Sequence, residues 1–443
     1  MTRAIVLAAG KGTRMKSSHP KVLHELCGRP LLWYVIAELR NAGIQEIVVV
    51  TNPDLQAQMG DFDVQSVVQT EQLGTGHAVR IGLDALAPSP GARVVVASGD
   101  MPLVPGELFS NAIAALAPSV ALVLVTARMP LPSSFGRIIR DTGSIQRIVE
   151  TRDCTADQLL IDEMNAGVYA FDENALRRVL PKLDNNNAQG EYYLTDTVDH
   201  FVREGSSVLP LLVDDHRHVL GINDRTELAH ARAEMNARLC RDQMLSGVTI
   251  IDPATTYLEP ELRIGRDTVI YPNTHISRLS EIGMSCVIGP NTRLSNAVLA
   301  NDVTVRESII IDSRVGDDAT IGPYAHIRGG AVLADQVRVG NFVEIKKSHL
   351  DTGVKASHLS YLGDATIGEN SNIGAGTITC NYDGEHKHET RIGKNVRIGS
   401  NTSIIAPRTI GDDAITGASS VVTHDVAAAQ RVAGNPARPL PKR

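Results

Sequence analysis

Between Ala8 and Lys21 the chain alternates residues with little or no side chain, Ala8, Gly10 and Gly12, with the cations Lys11, Arg14 and Lys21. Such a loop lets a ligand lie directly against backbone N–H groups while fixed positive charge surrounds it, which is the chemistry of a polyphosphate site. A Gly-x-Gly pair alone is weak, because it recurs in loops of every kind. No Gly-Lys-Ser/Thr closes this loop as a P-loop would, and the third glycine of a dinucleotide fingerprint is missing. Pro20 adds weight by setting the approach of Lys21. Further along, Asp100 ends an apolar run, and a carboxylate beside a polyphosphate loop is a natural Mg²⁺ ligand, although an Asp before Pro102 also suits a plain turn. In the second half, His358, Glu344, Lys346, Tyr361, Asn381, Tyr382, His386, Lys387 and His388 gather in three polar stretches. A His near a carboxylate is the pair a general base needs, and acyl transfer to an amine requires such a base; a lone His is by default a surface side chain.

These residues need elements to place them. Ile5-Val6-Leu7 reads as a buried strand opening into the glycine loop, and Glu46 to Val50 and Arg93 to Ser98 as further strands. Leu31 to Arg40 and Gly76 to Ala87 read as helices between them. The alternation predicts a parallel α/β sheet with right-handed crossovers, in which ligands sit at the carboxyl ends of the strands. The loop from Gln69 to Gly76, with Gly74 and Thr75, has amides for a base edge or simply enters a helix; Asn185 to Asp196, which includes Thr195, is polar enough to be a solvated loop. Arg225 to Leu245 lacks Pro and Gly, and Leu228, Ala231, Met235 and Leu239 form one stripe at helical spacing. The spacing predicts a connecting helix over 225–248, separating a domain of residues 1–224 from one of residues 249–443.

From residue 249 on the texture changes. Aliphatic-Gly pairs recur at Ile282, Ile288, Val315, Ile321, Val339, Ile367, Ile373, Ile392, Ile398 and Ile410, many of them six residues or a multiple apart. A hexapeptide period predicts a parallel β-helix with a shared aliphatic core, in keeping with only 4% aromatics. The repeat is interrupted between Ile373 and Ile392, where a loop is thrown out of the solenoid. At 443 residues the chain holds at least two cores, and a net charge of −7 with no long basic run argues against a nucleic-acid partner. No signal-peptide pattern or apolar run of membrane-spanning length is present, and the five cysteines lack Cys-x-x-Cys spacing, which points to thiols in a reducing cytoplasm.

The string LAAGKGTRM followed by PK resembles the signature of the sugar-nucleotide pyrophosphorylases. With EQLGTGHA, Gly99-Asp100, FGRI, NAG, NNNAQGEYYLTD and GIND, residues 1 to 230 resemble the uridylyltransferase half of the bifunctional bacterial enzymes that make UDP-N-acetylglucosamine, a cell-wall precursor. IRGG, GNFVEIKK, ASHLSYLGDA and NIGAGTITCNYDG resemble the glucosamine-1-phosphate acetyltransferase half of the same family. The resemblance implies a Rossmann-like nucleotidyltransferase domain followed by a left-handed parallel β-helix that forms a homotrimer. It implies that Arg14 and Lys21 hold UTP phosphates, that Leu7, Ala8 and Gly10 line the nucleotide site, and that Gln69, Gly74 and Thr75 hold uracil and its surroundings. Asp100 with Asn223 would hold Mg²⁺, and Gly136, Glu150, Asn165 and Thr195 would line the N-acetylglucosamine 1-phosphate pocket. In the second half His358 would be the base and Glu344 its orienting partner. Arg328, Lys346, Tyr361, Asn372 and Lys387 would hold glucosamine 1-phosphate; Asn381 and Tyr382 would sit by the acetyl group, and Ser400 and Ala418 would face acetyl-coenzyme A.

Three departures from the family's wording stand out. Ser98 replaces an aromatic, Asp224 replaces Asn, and the tail VAAAQRVAGNPARPLPKR is that of other hexapeptide acyltransferases, leaving Arg431 and Arg438 both as candidates to meet coenzyme A. Two alternatives remain open on sequence: a nucleotidyltransferase whose β-helix is only a scaffold, and a pyrophosphorylase for another sugar or nucleotide.

Overall fold

The computed structural model describes residues 1–441. The chain divides into two packed units, Met1–Ala233 and Glu234–Arg443.

The first unit is built on a sheet of β1 (Thr2–Leu7), β2 (Glu46–Thr51), β3 (Gln65–Val68), β4 (Arg93–Ser98), β5 (Val120–Arg128), β6 (Glu163–Asp172) and β7 (Ser207–Val213). Their spatial order is β7-β5-β6-β4-β1-β2-β3. Central β1 is apolar from Ala4 to Leu7 because both its faces are covered: Ala4 and Val6 enter one core and Ile5 the other, all fully buried. Helices α1 (Leu31–Asn41), α2 (Thr75–Asp84) and α3 (Gly106–Ala115) lie among these crossovers. The alternating pattern predicts a parallel sheet, but β6 runs antiparallel to both β4 and β5. A ten-residue apolar strand buried on both faces looks the same in either direction, so composition cannot reveal the reversal.

Arg225–Leu245 is helical, so the helix begins where expected and ends three residues before 248. Leu228, Ala231 and Met235 are buried on its stripe, and Leu239 packs against the core of the second unit. The chain divides inside this helix, not at its ends. Within the second unit, buried Asn236 ties the helix to the first coil, donating to the Thr256 carbonyl (2.8 Å) and accepting from Leu258 N–H (3.1 Å).

That unit is a left-handed parallel β-helix of hexapeptide repeats. Three aliphatic columns, one for each face, run along it: Ile327–Ile345–Leu362, Val339–Ala356–Ile373–Ile398 and Leu333–Leu350–Ile367–Ile392–Ile410. All are buried, and burying each is worth about 1.5–3 kcal/mol for the larger side chains. Asn and Asp recur at left-handed corners such as Asn291, Asp318, Asn370 and Asn401, residue types whose short polar side chains tolerate positive φ. The interruption is narrower than expected. Ile378 still pairs with Tyr361 below and Ser403 above, so only the residues between Cys380 and Thr390 leave the coil.

Candidate functional sites

In the first unit the carboxyl ends of β1 and β4 open on a cavity of about 820 Å³. Leu7, Ala8, Gly10, Lys21 and Asp100 line one side of it, Gln69, Gly74 and Thr75 another, and Glu150, Asn165 and Thr195 a third. The loop after β1 starts where Ala8 N–H bonds the Val50 carbonyl and Gly99 N–H bonds the Leu7 carbonyl, so three strand ends fix it. Gly12 lies at φ +58°, and a Cβ there would fall 2.7 Å from the Lys21 Cβ. The absent side chain therefore lets the loop press on the root of the lysine.

Lys21 Nζ donates to both Asp100 Oδ2 and Asn223 Oδ1, the latter at 3.2 Å. Arg14 donates to the same Asn223 oxygen at 2.9 Å. Arg14 and Asn223 do not line the cavity itself but join its rim through the Lys21–Asn223 bond. Among the described residues no group of three or more His, Cys, Asp or Glu is placed to hold a metal ion. One carboxylate and one amide oxygen nonetheless converge on a single cation, the Lys21 ammonium. That donor set fits a hard divalent ion completed by phosphate oxygens.

The opposite walls are held together by backbone. Gly74, at φ +108°, has no room for a Cβ, which would lie 2.6 Å from the Tyr192 carbonyl. Gly76 N–H bonds that carbonyl, Tyr192 N–H bonds Leu73, and Leu194 N–H bonds Thr75 Oγ1 at 3.0 Å. The two polar stretches, each readable alone as an ordinary loop, are one double layer. Gln69 is buried and spends its amide nitrogen on the Gly74 carbonyl and His77 Nδ1, both at 3.1 Å. A hairpin of Arg137–Asp141 and Ser144–Val149 brings Gly136 and Glu150 together at its base. Gly136 lies off the cavity and holds Asn165 through its carbonyl (2.9 Å). Thr195 Oγ1 donates to Glu150 Oε1 at 3.0 Å, while burial pushes the Glu150 carboxyl up, only partly offset by that bond.

Tyr169 was not singled out by sequence. Its hydroxyl accepts from Asn165 Nδ2 at 2.7 Å, and burial holds its proton far above the ordinary tyrosine value. Asn165 and Tyr169 lie four apart on β6, on one face, and both line the cavity, with the register slipping between them. Gln72, donating to the Ala9 carbonyl at 3.1 Å, belongs to the same wall.

In the second unit the candidate residues stack by coil. Glu344 lies beneath Tyr361, Arg328 beneath Lys346, and Asn341 beneath His358. Glu344 Oε1 accepts two bonds from Arg328, at 2.9 and 2.5 Å. Contrary to expectation, the His358 ring nitrogen Nδ1 bonds Asn341 Oδ1 at 2.8 Å and not Glu344. The reason is register: Glu344 and His358 belong to strands on different faces, whereas Asn341 and His358 are partners in one ladder. An amide oxygen only accepts, so Nδ1 carries the proton and Nε2 keeps its lone pair.

Nearby, Asn381 donates to Asp364 at 2.5 Å and to the Tyr361 hydroxyl at 3.5 Å. The neighbouring Lys346 pushes the Lys387 ammonium pKa down, so two cations face one another at the lip of the loop. The loop is a small hairpin, with Tyr382 bridged to Lys387 and His388 bonded to Asp383 at 2.6 Å. The His386 N–H, the His388 ring and the Glu385 N–H hold the Asp383 carboxyl well below its usual range. Ser400 and Ala418 fall on adjacent coils, since the Ser400 carbonyl accepts from Ser419 N–H. Asn372 is not brought to Arg328, Lys346 and Tyr361; it pairs with Lys355 and Arg397 in the other sheet. Of the tail arginines, Arg431 lies on the last parallel strand and Arg438 on a strand returning antiparallel to it; both are exposed.

A strand-end cavity rimmed by a cationic glycine loop, followed by a hexapeptide solenoid, is the build of a two-domain transferase. Comparison with known families agrees in both halves. Residues 4–151 match the MobA-like NTP transferase domain, residues 253–350 the GMPPB C-terminal domain, and residues 389–424 the bacterial transferase hexapeptide family (six repeats). The chain is 45% identical over 433 residues to the bifunctional protein GlmU of Trichlorobacter lovleyi, covering 96% of this chain and 94% of that one. It is 45% identical over 428 residues to the bifunctional protein GlmU of a Geobacillus species (96% and 93%), and 45% over 430 residues to that of Lactococcus lactis strain IL1403 (96% and 93%). The chain belongs to the GlmU family of bifunctional enzymes.

Proposed function

We propose that the chain performs two successive transfers on one sugar. The second unit moves the acetyl group of acetyl-coenzyme A to the amine of glucosamine 1-phosphate. The first then moves UMP from UTP to N-acetylglucosamine 1-phosphate, releasing pyrophosphate and giving UDP-N-acetylglucosamine. The observation that carries this reading is the 820 Å³ cavity, with a cationic glycine loop on one side and the half-buried Glu150 and buried Asn165 and Thr195 on the other.

In the first site a sugar phosphate oxygen attacks the α-phosphorus of UTP in line, with no covalent enzyme intermediate. Lys21 and Arg14 hold the phosphates, Gln69, Gly74 and Thr75 hold the uracil side, and Glu150, Asn165 and Thr195 form the sugar pocket, with Gly136 supporting Asn165 from behind. A divalent cation, Mg²⁺ in this reading, held by Asp100 and Asn223, supplies further positive charge against the phosphates. In the second site His358 Nε2 takes a proton from the sugar amine as the nitrogen attacks the thioester carbonyl, and the thiol leaves. Arg328, Lys346, Tyr361 and Lys387 bind the sugar phosphate, Asn381 and Tyr382 face the acetyl group, and Ser400 and Ala418 the coenzyme.

The reading includes a cytoplasmic homotrimer. No described helix is long and apolar enough to cross a membrane. Tyr324, Phe342 and Leu359 follow one another at one corner of successive coils, each more than half exposed, the first two rings stacked at 5.3 Å. A neighbouring copy would cover that column and could supply Asn372 to the site from which the single chain keeps it apart.

Two assays on the purified full chain test the proposal. Thiol release should require glucosamine 1-phosphate with acetyl-coenzyme A, and pyrophosphate release should require UTP, a divalent metal and N-acetylglucosamine 1-phosphate. Pyrophosphate release without thiol release would reduce the second unit to a scaffold; activity only with another sugar phosphate would overturn the substrate assignment.

A further inference from the structure

We propose that Lys21 gates the metal position of the first site. Its ammonium holds the Asp100 and Asn223 oxygens until a nucleoside triphosphate draws it away and a divalent cation takes its place. The inference rests on the reading of this cavity as a nucleotide and metal site.

Three observations carry it. First, both protein oxygens are engaged: Lys21 donates to Asp100 and, at 3.2 Å, to Asn223, whose oxygen also accepts from Arg14 at 2.9 Å. The Lys21 and Asp100 side chains are only 14% and 15% exposed. Pulling one ion out of such a pair leaves the other poorly solvated and unpaired. Second, the chain offers the cation just one carboxylate and one amide here, fewer than the six oxygens a hard divalent ion seeks. A triphosphate adds oxygen ligands and gives the ammonium a different anion, so it removes both obstacles together. Third, the hinge of the exchange is built in. The missing Cβ of Gly12 lets the phosphate loop rest against the root of Lys21, fixing where the side chain starts. The outer methylenes remain to swing a compact, rotatable charge from carboxylate to phosphate. By reciprocity, nucleotide and metal then raise each other's affinity by the same factor.

The test measures Mn²⁺ bound to the full chain, by the loss of the free-ion electron paramagnetic resonance signal, with no nucleotide present. Lys21→Met should bind Mn²⁺ at least about tenfold more tightly than wild type, because the competing cation is gone. Asp100→Asn in that background should erase the gain. Lys21→Arg should bind as weakly as wild type, and Lys11→Met, one loop charge removed without freeing Asp100, should shift affinity by no more than about threefold. The gate is overturned if Lys21→Met binds no more tightly than Lys11→Met, or if its gain survives Asp100→Asn. Repeating the titration with a non-hydrolysable UTP analogue separates the two claims. Wild-type Mn²⁺ binding that needs both analogue and Asp100 upholds the cavity reading even where the gate has failed. Binding indifferent to Asp100 under both conditions overturns the cavity reading and the gate together.

Discussion

The two candidate sites are built on opposite plans. The first is a cavity inside one unit, assembled from loops far apart in sequence and held by a few backbone bonds, such as Gly76 N–H to Tyr192 O. The second lies on the outside of a stack, where register alone decides which residues are neighbours, as with Asn341 beneath His358. The cavity can fix its side chains by surrounding them, so its polar groups are buried: Gln69 is 3% exposed and Thr195 4%. The solenoid surface has no such walls. It holds its side chains by pairing them, Arg328 with Glu344 and His358 with Asn341. A substitution in the cavity should therefore act through lost support behind the ligand groups, and one on the stack through lost pairing or lost register.

The largest effect expected from this difference is on stability. Ile345 is fully buried between Ile327 and Leu362. Ile345→Ala should cost about 4 kcal/mol, lowering the unfolding transition and the acetyl transfer of the second unit while pyrophosphate release persists. Next, Asn341→Ala should slow acetyl transfer about tenfold and shift its pH profile, since it frees His358 to take the other tautomer. Glu344→Gln should instead raise the KM for the sugar phosphate, because Glu344 orients Arg328. If Glu344→Gln shifts the pH profile and Asn341→Ala does not, the pairing seen here is not the working one. Smaller still, Tyr169→Phe removes the acceptor behind Asn165. It should raise the KM for N-acetylglucosamine 1-phosphate several-fold, about 1 kcal/mol, with kcat little changed; an unchanged KM would remove Tyr169 from the site.

The smallest effect is one of pH. Asp196 begins α4 (Asp196–Arg203), and burial, then the Asp184, Glu150, Asp199 and Asp153 charges, push it from 3.8 up to about 6. Between those values the folded chain holds a proton that the unfolded chain has released. The contribution of Asp196 to stability thus falls as pH rises through that window and stays low above it. Asp196→Asn should raise the melting temperature above about pH 7 and leave it nearly unchanged near about pH 4. A rise equal at both pH values would assign the effect to packing.

What could be read from sequence differs between the regions in the same way. The solenoid was fully legible as a fold, because a six-residue period repeats one local rule and the buried columns Leu333–Leu350–Ile367 follow from it. Its site was less so: the family resemblance pointed to Glu344 as the partner of His358, and only the coil register reveals Asn341. In the first unit the glycine loop, Lys21 and Asp100 were legible because they lie at strand ends, and Glu150, Asn165 and Thr195 through resemblance. The antiparallel β6 and the Tyr169 support were not, since a doubly buried strand carries no directional signal and Tyr169 reads as one more core aromatic beside Phe171. Asn236 in the long helix was hidden for a similar reason, since a single polar residue on a mixed helix gives no sign of being buried.

The central claim is that one chain holds two independent transferase sites, and it is tested most directly by comparing wild type, Asp100→Ala and His358→Ala in the two release assays. The account predicts that Asp100→Ala loses pyrophosphate release by about a thousandfold or more while thiol release continues, and that His358→Ala loses thiol release by about a hundredfold or more while pyrophosphate release from supplied N-acetylglucosamine 1-phosphate continues. Loss of both activities in either variant, or loss of neither, would contradict it.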